Sequence, residues 1–422
     1  MTRNDGAPRL TTEQVARRLG VKPETVYAYV SRGLLRSIRA GDGRGSRFDP
    51  VDVERLAARN SHRRPVRSTE PVIRTALTLI RDGRLYYRGM DVTELARSQS
   101  FESVATLLWS QRLAPDAWFT APHDLIDVAR RAVAALPDGV RLTDRLRVIA
   151  AVAASADRFR FHTEPEAVAA TGATLLAAMV DALPLVGTAP QTLTDDRLAA
   201  RLWPRLATEP ARPEALAALN GALVLLADHD LATSTVAARV AASTRAHPYA
   251  VVAAGLSAAE GPLHGAAPTH AYHLIRDAIN TGDPVGVYTE ALRVDGRVEG
   301  FVHPLYPDGD VRAKALLALL EPVPAQPELR AAVDGLVAAA RRRIPSRPNI
   351  DFALAVLTHS CKMTVDAGEA IFAIARTAGW IAHAMEEYRE PQLRFRFHGT
   401  YAGPASTDAD PRVRDGGRLA AS

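Results

Sequence analysis

The chain has 422 residues, enough for two or three domains with sizeable cores, and its 47% hydrophobic and 23% charged residues are those of a soluble globular protein. Its one cysteine, Cys361, excludes an internal disulfide and reads as a small buried residue. Apolar-or-small runs such as Val148 to Ala156 are far too short to span a bilayer, and the opening Met1-Thr-Arg-Asn-Asp-Gly lacks a signal peptide's apolar segment, so a cytoplasmic location is expected. The net charge of +5 is uneven: residues 1–70 hold 15 Lys+Arg against 8 Asp+Glu, the remainder 37 against 39. Such asymmetry points to a nucleic-acid-binding module on a neutral body.

Thr11 to Gly20 reads as a short helix, with a threonine cap, an apolar side of Leu10, Val15, Ala16 and Leu19, and Gly20 as its stop. After the turn Val21-Lys22, Pro23 suits the first position of a second helix, Pro23 to Arg32. Val26, Tyr29 and Val30 share one side of it, while Lys22, Thr25, Tyr27 and Arg32 can face outward. Helix, tight turn, helix is the helix-turn-helix pattern, whose second helix enters the major groove. Leu34 to Arg39 and Gly41 to Phe48 then read as a hairpin with a glycine-rich, arginine-bearing tip, followed by an Asp49 cap and a third helix, Pro50 to Arg59. The order resembles the winged helix-turn-helix of excisionases and mercury-resistance-type (MerR-like) regulators. Residues 1–62 would then bind double-stranded DNA through Lys22, Thr25, Tyr27, Arg36, Arg39, Arg44 and Arg47. Phosphate contacts of this kind give affinity without sequence preference. The polar, basic residues 63–71 read as a linker.

From Val72 the pattern is helical, with few candidate strands. Thr75 to Tyr87 alternates around Asp82-Gly83, which predicts one small hairpin. Amphipathic runs follow at Phe101 to Gln111, His123 to Ala135, Thr143 to Ala156 and Glu166 to Leu183. Pro184 to Pro213 reads as a loop-rich insertion around a short helix, and Ala215 to Ala227, apolar almost all round, as a buried helix. That helix ends in Asp228-His229-Asp230, which composition alone would leave as a solvated terminus.

Three breaks between helical runs carry chemistry-bearing side chains: Gly261-Pro-Leu-His264-Gly, Gly300-Phe-Val-His303, and Pro348-Asn-Ile-Asp351-Phe. A lone histidine at a break is ordinarily a cap or a solvent contact. Two imidazoles and one carboxylate, all at element ends, suit proton abstraction beside a carbonyl. No internal repeat, metal-ligand cluster or phosphate-cradling glycine loop accompanies them.

At these residues the chain resembles a citrate synthase. Asp82-Gly-Arg-Leu-Tyr-Tyr-Arg-Gly-Met-Asp, Ala227-Asp-His229, the three breaks above, Asp310-Val-Arg312-Ala, Arg376-Thr-Ala-Gly-Trp-Ile-Ala-His and Tyr401-Ala-Gly-Pro follow the family's order over residues 72–404. The resemblance implies a mainly α fold in two helical domains, a large one of residues 72–264 and 372–422 and a small one of residues 265–371, and an obligate homodimer. It implies Asp351 as general base, His264 as donor to the thioester oxygen of an acyl-CoA, and His303 as polariser of the oxaloacetate ketone. His229, Arg312, Arg376 and Arg396 would bind the dicarboxylate, with Arg396 reaching the partner's site. The CoA thioester is a substrate, and no metal or other cofactor is expected. Acetyl-CoA is the first expectation, propionyl-CoA the next.

The sequence departs from the family at Ala232, Pro268, Pro304, Pro307 and Ala353-Leu354-Ala355, and the two prolines after His303 remove basic side chains where CoA phosphates are expected. Those changes, with the basic module, suggest an alternative: a transcriptional regulator that uses a synthase-like body as a metabolite sensor.

Overall fold

The computed structural model describes residues 10–19, 21–39, 46–49, 52, 53, 56, 73–187, 196–262, 264–342 and 347–396, the side chains of Arg17 and Arg39 excepted. Arg44, the linker, most of the expected helix Pro50 to Arg59 and the Tyr401-Ala-Gly-Pro motif lie outside them. The chain divides into two compact units, Met1–Ile73 and Arg74–Ser422.

In the first unit, strand β1 (Leu10–Thr11) leads into helix α1 (Thr12–Leu19), and helix α2 (Pro23–Ser31) follows after the Val21-Lys22 turn. The start of α1 is closed reciprocally: the Thr11 amide donates to Gln14 Oε1 at 2.8 Å, and the Gln14 amide donates to Thr11 Oγ1 at 3.2 Å. Strands β2 (Ser37–Arg39) and β3 (Ser46–Phe48) pair antiparallel, and β3 also pairs with β1. Val15, Ala16, Leu19, Val26, Leu35, Phe48, Val53 and Leu56 form its own small core, as the helical spacing predicted for the first four.

In the second unit, Thr78–Arg81 and Arg84–Tyr87 form the expected hairpin, extended by Met90–Asp91. Its turn residues Asp82 and Gly83 have φ of 51° and 71°, the paired positive values that favour Asp-Gly in two-residue hairpins. The amphipathic runs are helices Phe101–Ser110, His123–Ala134, Leu142–Ala156 and Pro165–Asp181. Leu198–Leu202 is the short helix of the loop-rich insertion, and the apolar run is the buried helix Pro213–Leu226. Through their midst runs Ala367–Glu387, of whose 21 residues all but Glu386 are buried. Helices Ala267–Thr281, Pro284–Asp295, Val311–Leu320, Pro327–Arg341 and Ile350–Ser360 pack with one another ahead of it. Cys361 is buried and free. Among the described residues, no helix is long and apolar enough to cross a membrane.

Candidate active site

Composition left Asp228-His229 as a solvated helix end; the structure corrects this, with Asp228 and His229 only 0% and 6% exposed. Burial is possible because the carboxylate lies near His383 and Arg376 and accepts from Thr78, while its backbone is held by Tyr87. The Tyr87 hydroxyl donates to Asp228 O at 2.7 Å and accepts from its amide at 3.0 Å, while the Thr78 hydroxyl donates to Oδ2. Burial pushes the Asp228 carboxyl up, but His383, Arg376 and Thr78 hold it below its usual range. His229 Nε2 lies 2.9 Å from the Tyr306 hydroxyl, and its ring stands edge-on to His303 with centroids 5.0 Å apart. Burial, with Arg312 and Arg376 nearby, holds its pKa well below the usual value, so the ring is neutral.

His303 follows Val302, a β-branched residue at φ 66°, where such side chains are strained. The strain is held by pairing with the next break. The Val302 amide donates to Arg347 O at 2.9 Å, the Asn349 amide to Gly300 O at 2.9 Å, and Asn349 Nδ2 to Val302 O at 3.2 Å. Asn349 Oδ1 meanwhile accepts from the Asp351 and Phe352 amides at 3.0 and 3.3 Å, capping helix Ile350–Ser360. One side chain thus ties the His303 turn to the Asp351 turn. The Leu305 amide donates to His303 Nδ1 at 3.2 Å, so the neutral ring carries its proton on Nε2. Burial and then Arg312 bring the His303 pKa down to about 4, against the pull of Asp310.

His264 sits where Gly261 and Pro262 end helix Pro248–Ala259; its Nε2 is 2.8 Å from Ser234 Oγ, and its ring meets Phe372 edge-on at 5.6 Å. Burial and Arg376 bring its pKa down to about 4. Asp351, at the head of its helix, is partly open by surface yet surrounded by protein. Burial raises its pKa to about 7, with Asp310 and Glu299 adding to the rise and Arg312 and Arg376 opposing it. Its carboxyl oxygens hydrogen-bond no described residue, which leaves them for a ligand's proton.

Arg312 and Arg376 are 3% and 1% exposed and act electrostatically on every residue above: Arg376 on His264, His229 and Asp351, Arg312 on His303, His229 and Asp351. Their forks differ. Arg312 grips Asp310 through Nε and Nη2 at 3.0 and 2.8 Å, leaving Nη1; Asp310 Oδ2 also accepts from the Ile350 amide. Arg376 donates only Nε, to Leu226 O at 2.9 Å, and no described carboxylate lies within ion-pair distance of it. A buried guanidinium with its outer fork open is a ready carboxylate site.

Six of the seven expected site residues therefore converge. Arg396 does not within its own chain: it is exposed, beyond the last helix. Reasoning from sequence passed over Tyr306, Asp310, Ser234 and Asn349 as participants. Asn349 had a signal, as a good cap residue just before a helix; Ser234 had none. A cavity of about 550 Å³ between helices Val311–Leu320, Pro327–Arg341 and Ile350–Ser360 has an apolar floor including Leu317 and Val333, and a rim with Lys314, Arg341 and Arg347. No group of His, Cys, Asp and Glu among the described residues could hold a metal ion. In the first unit, Lys22, Tyr27 and Arg36 are exposed, and Thr25 and Arg47 are half-buried.

Residues 68–396 match the sequence profile described as "Citrate synthase, C-terminal domain", and residues 9–61 match that of a helix-turn-helix domain. The chain is 30% identical over 356 residues to a citrate synthase of Haloferax volcanii, covering 78% of this chain and 92% of that one. It is 27% identical over 331 residues to 2-methylcitrate synthase 2 of Corynebacterium glutamicum, covering 73% and 86%. Its fold is similar to the structure of Thermoplasma acidophilum citrate synthase in ternary complex with carboxymethyl coenzyme A and oxaloacetate, at a TM-score of 0.69 and 24% identity, covering 82% of this chain and 97% of that one.

Proposed function

The chain belongs to the citrate synthase family, and on that premise we propose how its own residues condense an acyl-CoA with oxaloacetate to a citrate-type acid and free CoA. Asp351 in its ionised form takes a proton from the carbon beside the thioester carbonyl. As charge builds on the thioester oxygen, His264 donates a hydrogen bond to it. With the Ser234 hydroxyl donating to Nε2, the neutral His264 ring keeps its proton on Nδ1 for that purpose. The enol carbon attacks the oxaloacetate ketone, and His303, with its proton on Nε2, polarises that carbonyl and protonates the alkoxide formed. Water then cleaves the thioester, which pulls the sequence forward.

Oxaloacetate's carboxylates meet the open fork of Arg376, Nη1 of Arg312 and the imidazole of His229. The observation that carries this reading is Asp351: a carboxyl held near neutrality, with no hydrogen-bond partner among the described residues, between two buried arginines. Release of free thiol from an acyl-CoA with oxaloacetate tests it, and a wild type no faster than Asp351→Asn sinks it. Acetyl-CoA and propionyl-CoA are the two substrates to compare, since relatives of both product classes match the chain. We propose Lys314, Arg341 and Arg347, which line the cavity beside helix Val311–Leu320, as ligands of the CoA phosphates in place of the basic residues absent at Pro304 and Pro307.

We further propose a cytoplasmic homodimer in which Arg396 serves the partner's site, consistent with its exposure beyond the last helix. Mixing inactive Arg396→Ala and Asp351→Asn protomers then restores activity, because one site of each mixed dimer is complete; no restoration removes the cross-subunit role. The first unit is proposed to bind duplex DNA, on its helix-turn-helix fold and basic balance. Gel shifts at low salt with and without residues 1–70 test this, equal and poor binding by both being the adverse result.

A further inference from the structure

The polar cluster behind His229 does more than fill a core. His383, on the buried helix Ala367–Glu387, is 0% exposed. Its Nδ1 lies 2.6 Å from Arg239 Nη1. A guanidinium only donates, so Nδ1 accepts and the ring proton sits on Nε2. That nitrogen is 3.2 Å from Asp228 Oδ1, in direct contact although its N–H is not aligned for a hydrogen bond, and neither atom hydrogen-bonds any other described residue. Arg239 is held in turn by Glu386 Oε2 at 2.8 Å and Glu387 Oε2 at 3.1 Å. On this side of the turn the helix presses directly on the chain: a Cβ at Gly379 would lie 2.5 Å from Ala227 O and from Asp228 Oδ1. On the other side, Asp230 takes the left-handed region at φ 52°. His229 is thus set between a clamped carboxylate and a strained residue, and such strain persists only while its surroundings hold it.

We propose that His383 is a positioning residue for oxaloacetate binding, fixing through Asp228 the direction in which His229 presents its ring. This rests on the assignment of His229 to oxaloacetate. Loosening Asp228 releases the turn and swings the imidazole off Tyr306, while the thioester side of the site, built from His264 and Ser234, keeps its own supports.

The test compares His383→Leu with His383→Gln, measuring the oxaloacetate Kd by calorimetry and both KM values and kcat by thiol release. The glutamine amide can accept from Arg239 and donate to Asp228 without an imidazole. Leucine is expected to raise Kd and KM for oxaloacetate about tenfold or more with KM for acyl-CoA little changed, and glutamine to restore most of the loss. A folded leucine variant that binds oxaloacetate like the wild type overturns the proposal, as does a glutamine variant no better than leucine. Should the leucine variant fail to fold, Thr78→Val carries the test by removing only the hydroxyl on Asp228 Oδ2: weaker oxaloacetate binding supports the proposal, and an unchanged Kd overturns it. A wild type that neither turns over nor binds oxaloacetate overturns the parent assignment as well, whereas binding that all variants share overturns this inference alone.

Discussion

The two units keep their polar groups in opposite ways. In the body, the groups that frame the site are withdrawn from water and answered by specific partners, Asp310 by Arg312, Asp228 by Tyr87 and Thr78, Glu387 by Arg239 and Arg394, while Asp351 and the outer fork of Arg376 are left open. In the N-terminal unit, Lys22, Tyr27 and Arg36 stand exposed around a core that has eight buried hydrophobic residues among those described. Buried polar groups are costly unless paired, so a site that makes a carbanion-like intermediate has to be built as a network. An exposed basic surface needs no such network, because its work is long-range and screened by salt. Substitutions in the body should therefore act locally and strongly, and those in the module additively and weakly.

The sharpest break in the body is Asp351→Asn, expected to lower kcat about 10³-fold, within the range of a lost general base. The same residue sets the pH dependence. Its pKa is raised from the usual 3.8 to about 7, and it must be ionised to accept a proton, so kcat/KM rises as pH increases through about 7. The effect on stability has the opposite sign. Between about pH 4 and pH 7 the folded protein keeps a proton on Asp351 that the unfolded chain has lost, so this residue makes stability fall as pH rises through that window. Asparagine carries no such burden. Asp351→Asn should thus melt higher than the wild type at pH 8 and gain less at pH 4, which a pair of thermal scans reads. Equal gains at both values would mean the carboxyl titrates near its ordinary pKa.

Next in size is Glu387→Gln. Glu387 is 0% exposed and accepts from Arg239 at 3.1 Å and from Arg394 through two hydrogen bonds of 2.6 Å each. Removing one partner of a buried pair leaves charge uncompensated, at about 3–5 kcal/mol. Chemical denaturation measures it, and a loss below about 1 kcal/mol would mean the cluster is open to water. In the module, the double variant Arg36→Ala, Arg47→Ala should weaken DNA binding at low salt by about tenfold and flatten the salt slope by about two, with thiol release unchanged. A change in turnover instead would break the contrast between the units.

What the sequence disclosed follows the same division. Local signals were faithful: Asp82-Gly83 marked the hairpin, Thr11 the start of the first helix, and the apolar run Ala215 to Ala227 the buried helix, which the structure bounds at Pro213–Leu226. The three breaks bearing His264, His303 and Asp351 stood out because glycine and proline punctuate them. The burial of Asp228 did not, because Thr78 is 150 residues away in the chain and Tyr87 141. No local pattern reports a partner at that separation. Arg376 and Arg312 were legible as arginines in a motif, but not that Asp310 already occupies one fork while the other stands open.

Asn349 offers the finest test of how the body is built, since it touches no reacting group and yet joins two turns that carry them. Its oxygen caps helix Ile350–Ser360 and its amide nitrogen holds Val302 O, against the strain at φ 66°. Asn349→Asp keeps the cap and discards the link, because a carboxylate can accept from the Asp351 amide but cannot donate to Val302 O. Asn349→Ala discards both. If the link matters separately from the cap, alanine costs about 1 kcal/mol more in stability than aspartate, while both raise KM for oxaloacetate alike through the displaced His303. If aspartate behaves as the wild type in KM, the Val302 turn is held by Arg347 O and Gly300 O alone, and the two turns are joined by backbone rather than by this side chain.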